Sequence, residues 1–510
     1  MFYFGLLMRV GLTAGANQLS RVVSSEEGGL RLSEQPSINW KKMACPNVSS
    51  VELLDTKLQT IGGFGASMTE SSAINLNALP LPKQAELLEL LYGSTGAKLS
   101  AMKATMLSND FAAQAPWSTY DDTSGDTTLS HFSIARDLMP NGSLTLIKKA
   151  IDAGFKGTIQ AYMDFPPDWM LQGTLPKNAT VNPIYYNTLS LYFARYIEAY
   201  KVHGVHIDFL EAFNEPTDSY TKMSPAQLAT FLGKHLGPTF EKRGLWPSTK
   251  LSYGGQCARG TAAEFIPAVL SDKDAAKYMD VIVYHGYDCQ YEDDGSCNDE
   301  RQNYDAIAKI AKAEPSRPLW MSEVCYAYNF DDPNCTKKST MKYCETYPRD
   351  PNLAKPLPRL DFADGATWGH RIIKELQSGT SGWIYWNLIL NQTGGPFLYS
   401  PSHSDGPANL QQPVIVVDTE AKEYYTTGLF WFMAHFSRFV RPGAVRLATK
   451  ERALQEGVSA VGFEATAEEY HVKVLQLVNK KQSEEKVTVC AKGNVAELTL
   501  PASSITTARW

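Results

Sequence analysis

The sequence has no excess of positive charge, no long apolar run and none of the short motifs that mark the commonest cofactor and metal sites. Lys and Arg number 48 against 54 Asp and Glu, a net charge of −6. Such a surface does not attract polyanions, so nucleic acid is not an expected partner. No stretch reaches the roughly 20 apolar residues that a membrane-spanning helix needs. No Cys-x-x-Cys pair and no His-Glu-x-x-His occurs, which leaves zinc without a motif. A P-loop is absent, and so is the Gly-x-Ser-x-Gly elbow of acyl hydrolases. Gly63-Phe64-Gly65-Ala66-Ser67-Met68 opens like a dinucleotide loop but lacks the third glycine. There is no internal repeat and no low-complexity run. With 44% hydrophobic and 20% charged residues, the composition excludes a mainly disordered, collagen-like or coiled-coil architecture.

The amino terminus and the cysteines bear on the compartment. Residues 1–8 are almost wholly apolar, and Ala14-Gly15-Ala16 reads as a small-residue cleavage site, so residues 1–16 fit a secretory signal. No Lys or Arg precedes the apolar run, however, and Arg9 interrupts it. Asn-x-Ser/Thr sequons stand at Asn47, Asn141, Asn178, Asn334 and Asn391. Of the 8 cysteines, Cys289 and Cys297, and Cys335 and Cys344, bracket short polar segments that a disulfide could close in an oxidising compartment. Eight reduced thiols are the alternative.

From residue 61 onward, short apolar runs alternate with amphipathic stretches. Strands are expected at 61–67, 97–106, 157–165, 208–215, 250–255, 280–287, 318–324 and 381–388, with helices such as 83–92, 186–200 and 302–312 between them. Eight strand-plus-crossover units suit a closed (β/α)8 TIM barrel, with a doubly wound open sheet as the alternative. After about residue 430 the runs shorten to 458–463, 470–478, 486–491 and 496–500, the pattern of an antiparallel β-sandwich. Segments near 28–33 and 50–55 are candidates for further strands of that sheet. The expected organisation is therefore leading sandwich strands over 28–57, a barrel over 58–428 and the rest of the sandwich over 429–510.

Catalytic groups of such barrels project from the carboxyl ends of strands. The fourth expected strand ends Asn214-Glu215-Pro216, where proline stops the ladder and leaves Glu215 facing the mouth. The seventh ends Ser322-Glu323-Val324, which sets a second carboxylate across the same cleft. Glycoside hydrolysis needs such a pair, one protonated to release the leaving oxygen and one ionised. The alternative is two ordinary strand-end glutamates in salt bridges. Trp383, Tyr385, Trp386 and Asn387 on strand eight and Tyr284, His285 and Tyr287 on strand six suit a sugar site, although about half of such barrel aromatics serve only the core.

The motifs Gly63–Glu70 (GFGASMTE), Phe213-Asn214-Glu215-Pro216, Asp274–Tyr278 (DAAKY), Met321–Cys325 (MSEVC), Trp386-Asn387-Leu388, Gly394-Gly395-Pro396 and His435–Phe439 (HFSRF) occur in one order. Over these residues the chain resembles family 30 of the glycoside hydrolases, most closely its glucosylceramidase branch, from about residue 58 to the end. The resemblance implies a barrel with an appended β-sandwich and retaining hydrolysis of β-glycosides without metal or cofactor. By motif, it makes Glu215 the acid/base and Glu323 the nucleophile. Asn214 would bond the sugar 2-hydroxyl, Asp110 other hydroxyls, and Trp386 and His285 would line the pocket, with Tyr287 and Asn387 beside them. Three departures concern the sugar: Lys103 replaces an arginine, Asp164 a glucose-contacting tryptophan, and Gly286 another tryptophan. The implied substrate is first glucosylceramide, in a secreted or lysosome-like compartment, with contact to a membrane surface or an activator protein. A β-glucan, another β-linked oligosaccharide or a sterol glucoside would use the same chemistry. A non-catalytic carbohydrate- or lipid-binding protein is the alternative class, which has no need of both glutamates.

Overall fold

The structure, a computed structural model, describes residues 17–114, 118–173, 179–218, 221–288, 302–325, 327–328, 360–397, 410–467 and 470–510. Residues 1–16, Asn178, Asn334, and the cysteines at 289, 297, 335 and 344 lie outside them, and with them the signal and both short disulfides. All eight expected barrel strands form: Gly63–Met68, Ala101–Thr105, Thr158–Tyr162, Phe209–Glu211, Lys250–Ser252, Ile282–His285, Leu319–Glu323 and Thr380–Asn387. They pair in parallel in the order five, four, three, two, one, eight, seven, six. Parallel bridges Leu251↔Met279 and Gln256↔Tyr284 join the fifth strand's segment to the sixth and close the ring. Helices cover the outside, so the strands are buried on both faces and read as continuous apolar runs. Gly65 is required where the first strand meets the second, since a Cβ there would lie 1.8 Å from the Ala101 carbonyl oxygen.

The expected helices are present as Leu81–Tyr92, Tyr186–Val202 and Tyr304–Ala313. Trp383 and Tyr385 of the eighth strand face the helix Asp364–Gln377, with ring centroids 6.2 and 5.2 Å from Trp368. Their role is core packing. Tyr284 also points outward, donating to Glu375 Oε2 at 2.7 Å.

A second, ten-stranded sheet is built from both ends of the chain. Gln18–Ser25, Ser33–Asn39, Lys41–Lys42 and Ser50–Thr60 come from the front; Val445–Arg452, Val458–Ala467, Tyr470–Asn479, Glu485–Ala491, Asn494–Leu500 and Ser504–Arg509 come from the tail. The segment 28–33 is not a strand. Gly28 and Gly29, at φ 72° and 61°, turn the chain there between two strands that flank it. Pairing is antiparallel except between Ser50–Glu52 and Thr488–Cys490. A disulfide joins Cys45 to Cys490 across 445 residues, whereas Cys257 and Cys325 are buried thiols. The sheet is tied to the barrel through the helix Gly428–Phe439, where buried His435 meets Thr507 Oγ1 at 2.7 Å and Ser24 Oγ at 2.9 Å. No helix among the described residues is long and apolar enough to cross a membrane.

Candidate active site

The fourth strand runs on past Glu211 to Asn214, whose backbone bridges to Gly255 and donates to the Met163 carbonyl at 3.0 Å. Glu215 then takes a left-handed φ of 40°, unusual for a residue with a side chain, and its N–H donates to the Gly255 carbonyl at 2.8 Å. That turn brings its carboxylate to His285, with Oε1 2.8 Å from Nδ1. Glu323 ends the seventh strand. It accepts from the Tyr287 hydroxyl at 3.1 Å on Oε1 and from the Lys103 ammonium at 2.8 Å on Oε2. One oxygen of Glu215, one of Glu323 and one nitrogen of His285 all lie within 4.8 Å of one another. An approach this close suits retaining glycosidases, whose two carboxyl groups stand roughly 5–5.5 Å apart, better than inverting ones, which leave roughly 6.5–9.5 Å for a water.

Buried charge surrounds the pair. Lys103 also reaches Glu211 Oε2 at 3.3 Å, and His285 Nε2 lies 3.6 Å from Glu211 Oε1. Glu211 further accepts from the Gly255 N–H at 2.7 Å and from Gln160. Gly255 must be glycine: a Cβ would stand 2.4 Å from His285 Nε2 and 2.7 Å from Glu211 Oε1. Burial opposes the charge on Lys103, but Glu211 and Glu323 outweigh it and hold the pKa above that of an ordinary lysine. Burial likewise opposes the imidazolium of His285, yet Glu323, Glu211 and Glu215 push its pKa up to about 9. Burial raises the pKa of Glu215, with His285 acting against it and Glu323 with it. Glu215, its pKa raised, thus stands beside a second glutamate that accepts from an ammonium and a phenol, an asymmetric pair of the kind that acid and nucleophile roles use. Glu215, His285 and Glu323 have the spacing of metal ligands, but an imidazolium offers no lone pair and Lys103 already neutralises Glu323. The only other such group among the described residues, Asp121, Asp126 and His131, belongs to a partly exposed turn in which Asp126 accepts from Thr128, Ser130 and His131.

Residues 61–342 and 359–440 match the glycosyl hydrolase family 30 TIM-barrel domain, and 443–508 the glycosyl hydrolase family 30 beta sandwich domain. The chain belongs to glycosyl hydrolase family 30. It is therefore a glycoside hydrolase of the retaining kind and takes a glycan substrate. Its relatives include the lysosomal acid glucosylceramidase of Mus musculus, 27% identical over 86% of this chain and 75% of that protein. They also include the endo-1,6-beta-D-glucanase of Neurospora crassa, 27% identical over 96% of this chain and 94% of that protein. The fold recurs in SrfJ from Salmonella typhimurium, with a TM-score of 0.80 at 21% identity over 96% of this chain and 99% of that one. It recurs again in the endo-beta1,6-glucanase BT3312, with a TM-score of 0.76 at 20% identity over 97% and 99%.

In this family 30 chain the remaining candidate residues gather at the same end of the barrel. Asn214 Nδ2 donates to Asp164 Oδ1 at 3.2 Å, so the residue standing where a tryptophan was expected holds the amide beside Glu215. Trp386 packs edge-on against Tyr162 and Phe111, with centroids 5.6 and 6.5 Å away. Asn387 Nδ2 donates to Gln411 Oε1 at 2.8 Å, and Gln411 Nε2 donates to Asp110 Oδ2 at 3.4 Å. The Cys325 thiol donates to the same Gln411 oxygen at 3.1 Å and lies 3.5 Å from the Tyr287 hydroxyl, which joins this chain of contacts to Glu323. Glu211, Cys325 and Gln411 escape a reading from sequence. Glu211 carries one legible signal, a charge inside an apolar strand; Gln411 sits in a segment with no pattern.

Proposed function

We propose that the chain hydrolyses a β-glucoside by double displacement, with Glu323 as nucleophile and Glu215 as acid/base. The observation that carries this is the approach of one oxygen of each carboxylate to within 4.8 Å, with His285 2.8 Å from Glu215 and 3.9 Å from Glu323. Glu323, hydrogen-bonded by Lys103 and Tyr287, attacks the anomeric carbon while Glu215 gives its proton to the leaving oxygen. Glu215, then ionised, draws a proton from the water that opens the glycosyl-enzyme. Asn214 bonds the sugar 2-hydroxyl, Trp386 offers an apolar face, and Asp110 and Asn387 meet other hydroxyls.

For the substrate we take a β-1,6-linked glucan first. Support comes from the nearly end-to-end match with the Neurospora endo-1,6-beta-D-glucanase and from Asp164, which makes polar a position where the glucosylceramidase pattern has an aromatic face. Glucosylceramide is the second reading, supported by the match with the mouse lysosomal enzyme. The Cys45–Cys490 disulfide favours an oxidising compartment, secreted or lysosome-like.

The test is to follow hydrolysis of β-1,6-glucan oligosaccharides by proton NMR, alongside glucosylceramide, sterol glucoside and β-1,3-glucan. The β-anomer should appear first, and the β-1,6-glucan should have the largest kcat/KM. Early α-anomer would overturn the double displacement, and faster turnover of glucosylceramide would establish the second reading.

A further inference from the structure

One buried carboxylate at the site takes no part in the double displacement. Glu211 lies four residues before Glu215 at the end of the fourth strand and has no exposed surface. An ionised carboxylate in that position is costly unless it is paired and hydrogen-bonded. Each neighbouring strand segment supplies a partner: Lys103 from the second, Gln160 from the third, the Gly255 N–H beyond the fifth and His285 from the sixth. Among the described residues, Glu211 acts on the phenols of Tyr162 and Tyr253, Tyr287 stands against His285 and Glu323, and Asp218 adds a negative charge that acts on Glu215. Burial pushes all three phenols well above their ordinary range, so they stay neutral.

The charges can be counted. Within ion-pair distance of one another, Lys103 and His285 are the two cations and Glu211, Glu215 and Glu323 the three carboxylates; Asp218 acts on Glu215 from outside this cluster. With Glu215 holding the proton it must deliver, two positive charges face two negative ones. Without Glu211 the same two cations would face Glu323 alone. The surplus positive charge would draw the protons off Glu215 and His285, which share one 2.8 Å contact and titrate as a pair.

We propose that Glu211 is a positioning residue for the reaction, its fixed negative charge offsetting the positive charges of Lys103 and His285, so that both stay cationic while the proton stays on Glu215 over the working pH range. This rests on the roles given above to Glu215 and Glu323. The site is shaped for it: the missing Cβ at Gly255 lets the Glu211 carboxylate and the His285 ring approach, and the Gly255 N–H donates to that same carboxylate oxygen. Titration tendencies agree. Burial alone would raise the pKa of Glu211, but Lys103, His285 and the Gly255 N–H bring it below that of an ordinary glutamate.

The experiment compares the pH dependence of kcat/KM for wild type, Glu211→Gln and Glu211→Asp with an aryl β-glucoside. Removing the negative charge lowers the pKa of each remaining acid. Both limbs of the Glu211→Gln bell should therefore move to lower pH by about one unit, a roughly tenfold loss on the basic side. Glu211→Asp keeps the charge, so its bell should keep its position and change only in height. A Glu211→Gln profile that is lower but unmoved would overturn the proposal, because a packing role shifts no pKa. Nitrogen-15 NMR of the histidines in the unaltered enzyme gives a second reading, independent of whether Glu211→Gln folds. The His285 ring should carry both protons at pH 7.5, and a neutral ring would overturn the proposal. Trapping with a 2-fluoroglucoside in wild type and Glu211→Gln tests the double displacement separately. Label on Glu323 together with an unmoved bell would remove this inference alone.

Discussion

The ammonium of Lys103 lies 2.8 Å from Oε2 of Glu323 and 3.9 Å from the centre of the Tyr162 ring, with no surface exposed to solvent. A lysine there brings a compact charge shared between Glu323 and Glu211, where an arginine would bring a planar fork. Removing one partner of a buried pair strands the other. Lys103→Met should therefore destabilise the protein by about 3–5 kcal/mol and abolish turnover. Lys103→Arg should fold yet lose kcat/KM, since the fork does not fit a site built for one nitrogen. Urea unfolding and steady-state kinetics check both outcomes.

Glu215→Ala leaves the nucleophile in place. With a good aryl leaving group the glycosyl-enzyme should still form, while its breakdown loses the base and slows by roughly 10²–10⁴-fold. Azide should then restore turnover and yield the β-glycosyl azide. An α-azide, or no rescue, would count against the acid/base role.

Asp164 holds the Asn214 amide at 3.2 Å. Asp164→Ala should release that amide and lower kcat/KM by roughly ten- to a hundredfold, the cost of a lost buried hydrogen bond. The discrimination between glucosides and 2-deoxyglucosides should shrink with it. Asp164→Trp should move preference toward glucosylceramide. Unchanged deoxy-sugar discrimination in both variants would show that Asp164 has no part in recognition.

Most of the barrel was legible because a strand buried on both faces must be apolar along its length, as in Ile282–His285 and Leu319–Glu323. Glu215 was legible because Pro216 marks where its strand stops. Lys103 was legible only as a lysine where the family pattern has arginine, and Glu211 only as a misplaced charge. Their pairing depends on three strands meeting within one barrel, which no local pattern encodes. The front strands were harder for the same reason. Gln18–Ser25 pairs with Ser504–Arg509, and Cys45 with Cys490, across nearly the whole chain. The strand expected at 28–33 was misplaced because the run of residues around Gly28 and Gly29 serves a turn. Cys325 and Gln411 reach the site through contacts alone.

Asp137 predicts a pH dependence of stability. It is buried and accepts from the hydroxyls of Tyr120 at 2.6 Å and Tyr200 at 2.9 Å. Burial nevertheless raises its pKa from 3.8 to about 7. A carboxyl whose folded pKa is raised holds its proton in the native state while the unfolded chain loses it. Its contribution is complete below pH 3.8 and is lost as pH rises to about 7. Asp137→Asn should remove that slope, leaving a variant less sensitive than wild type to raising the pH from 5 to 7. Chemical unfolding at several pH values measures this, and parallel curves for the two proteins would refute it.

The most direct test of the mechanism is covalent. Incubation with an activated 2-deoxy-2-fluoroglucoside should inactivate the enzyme with one equivalent of label, and peptide mapping should place that label on Glu323. Label on Glu215, Glu211 or any other carboxylate, or turnover retained by Glu323→Gln, would contradict the assignment.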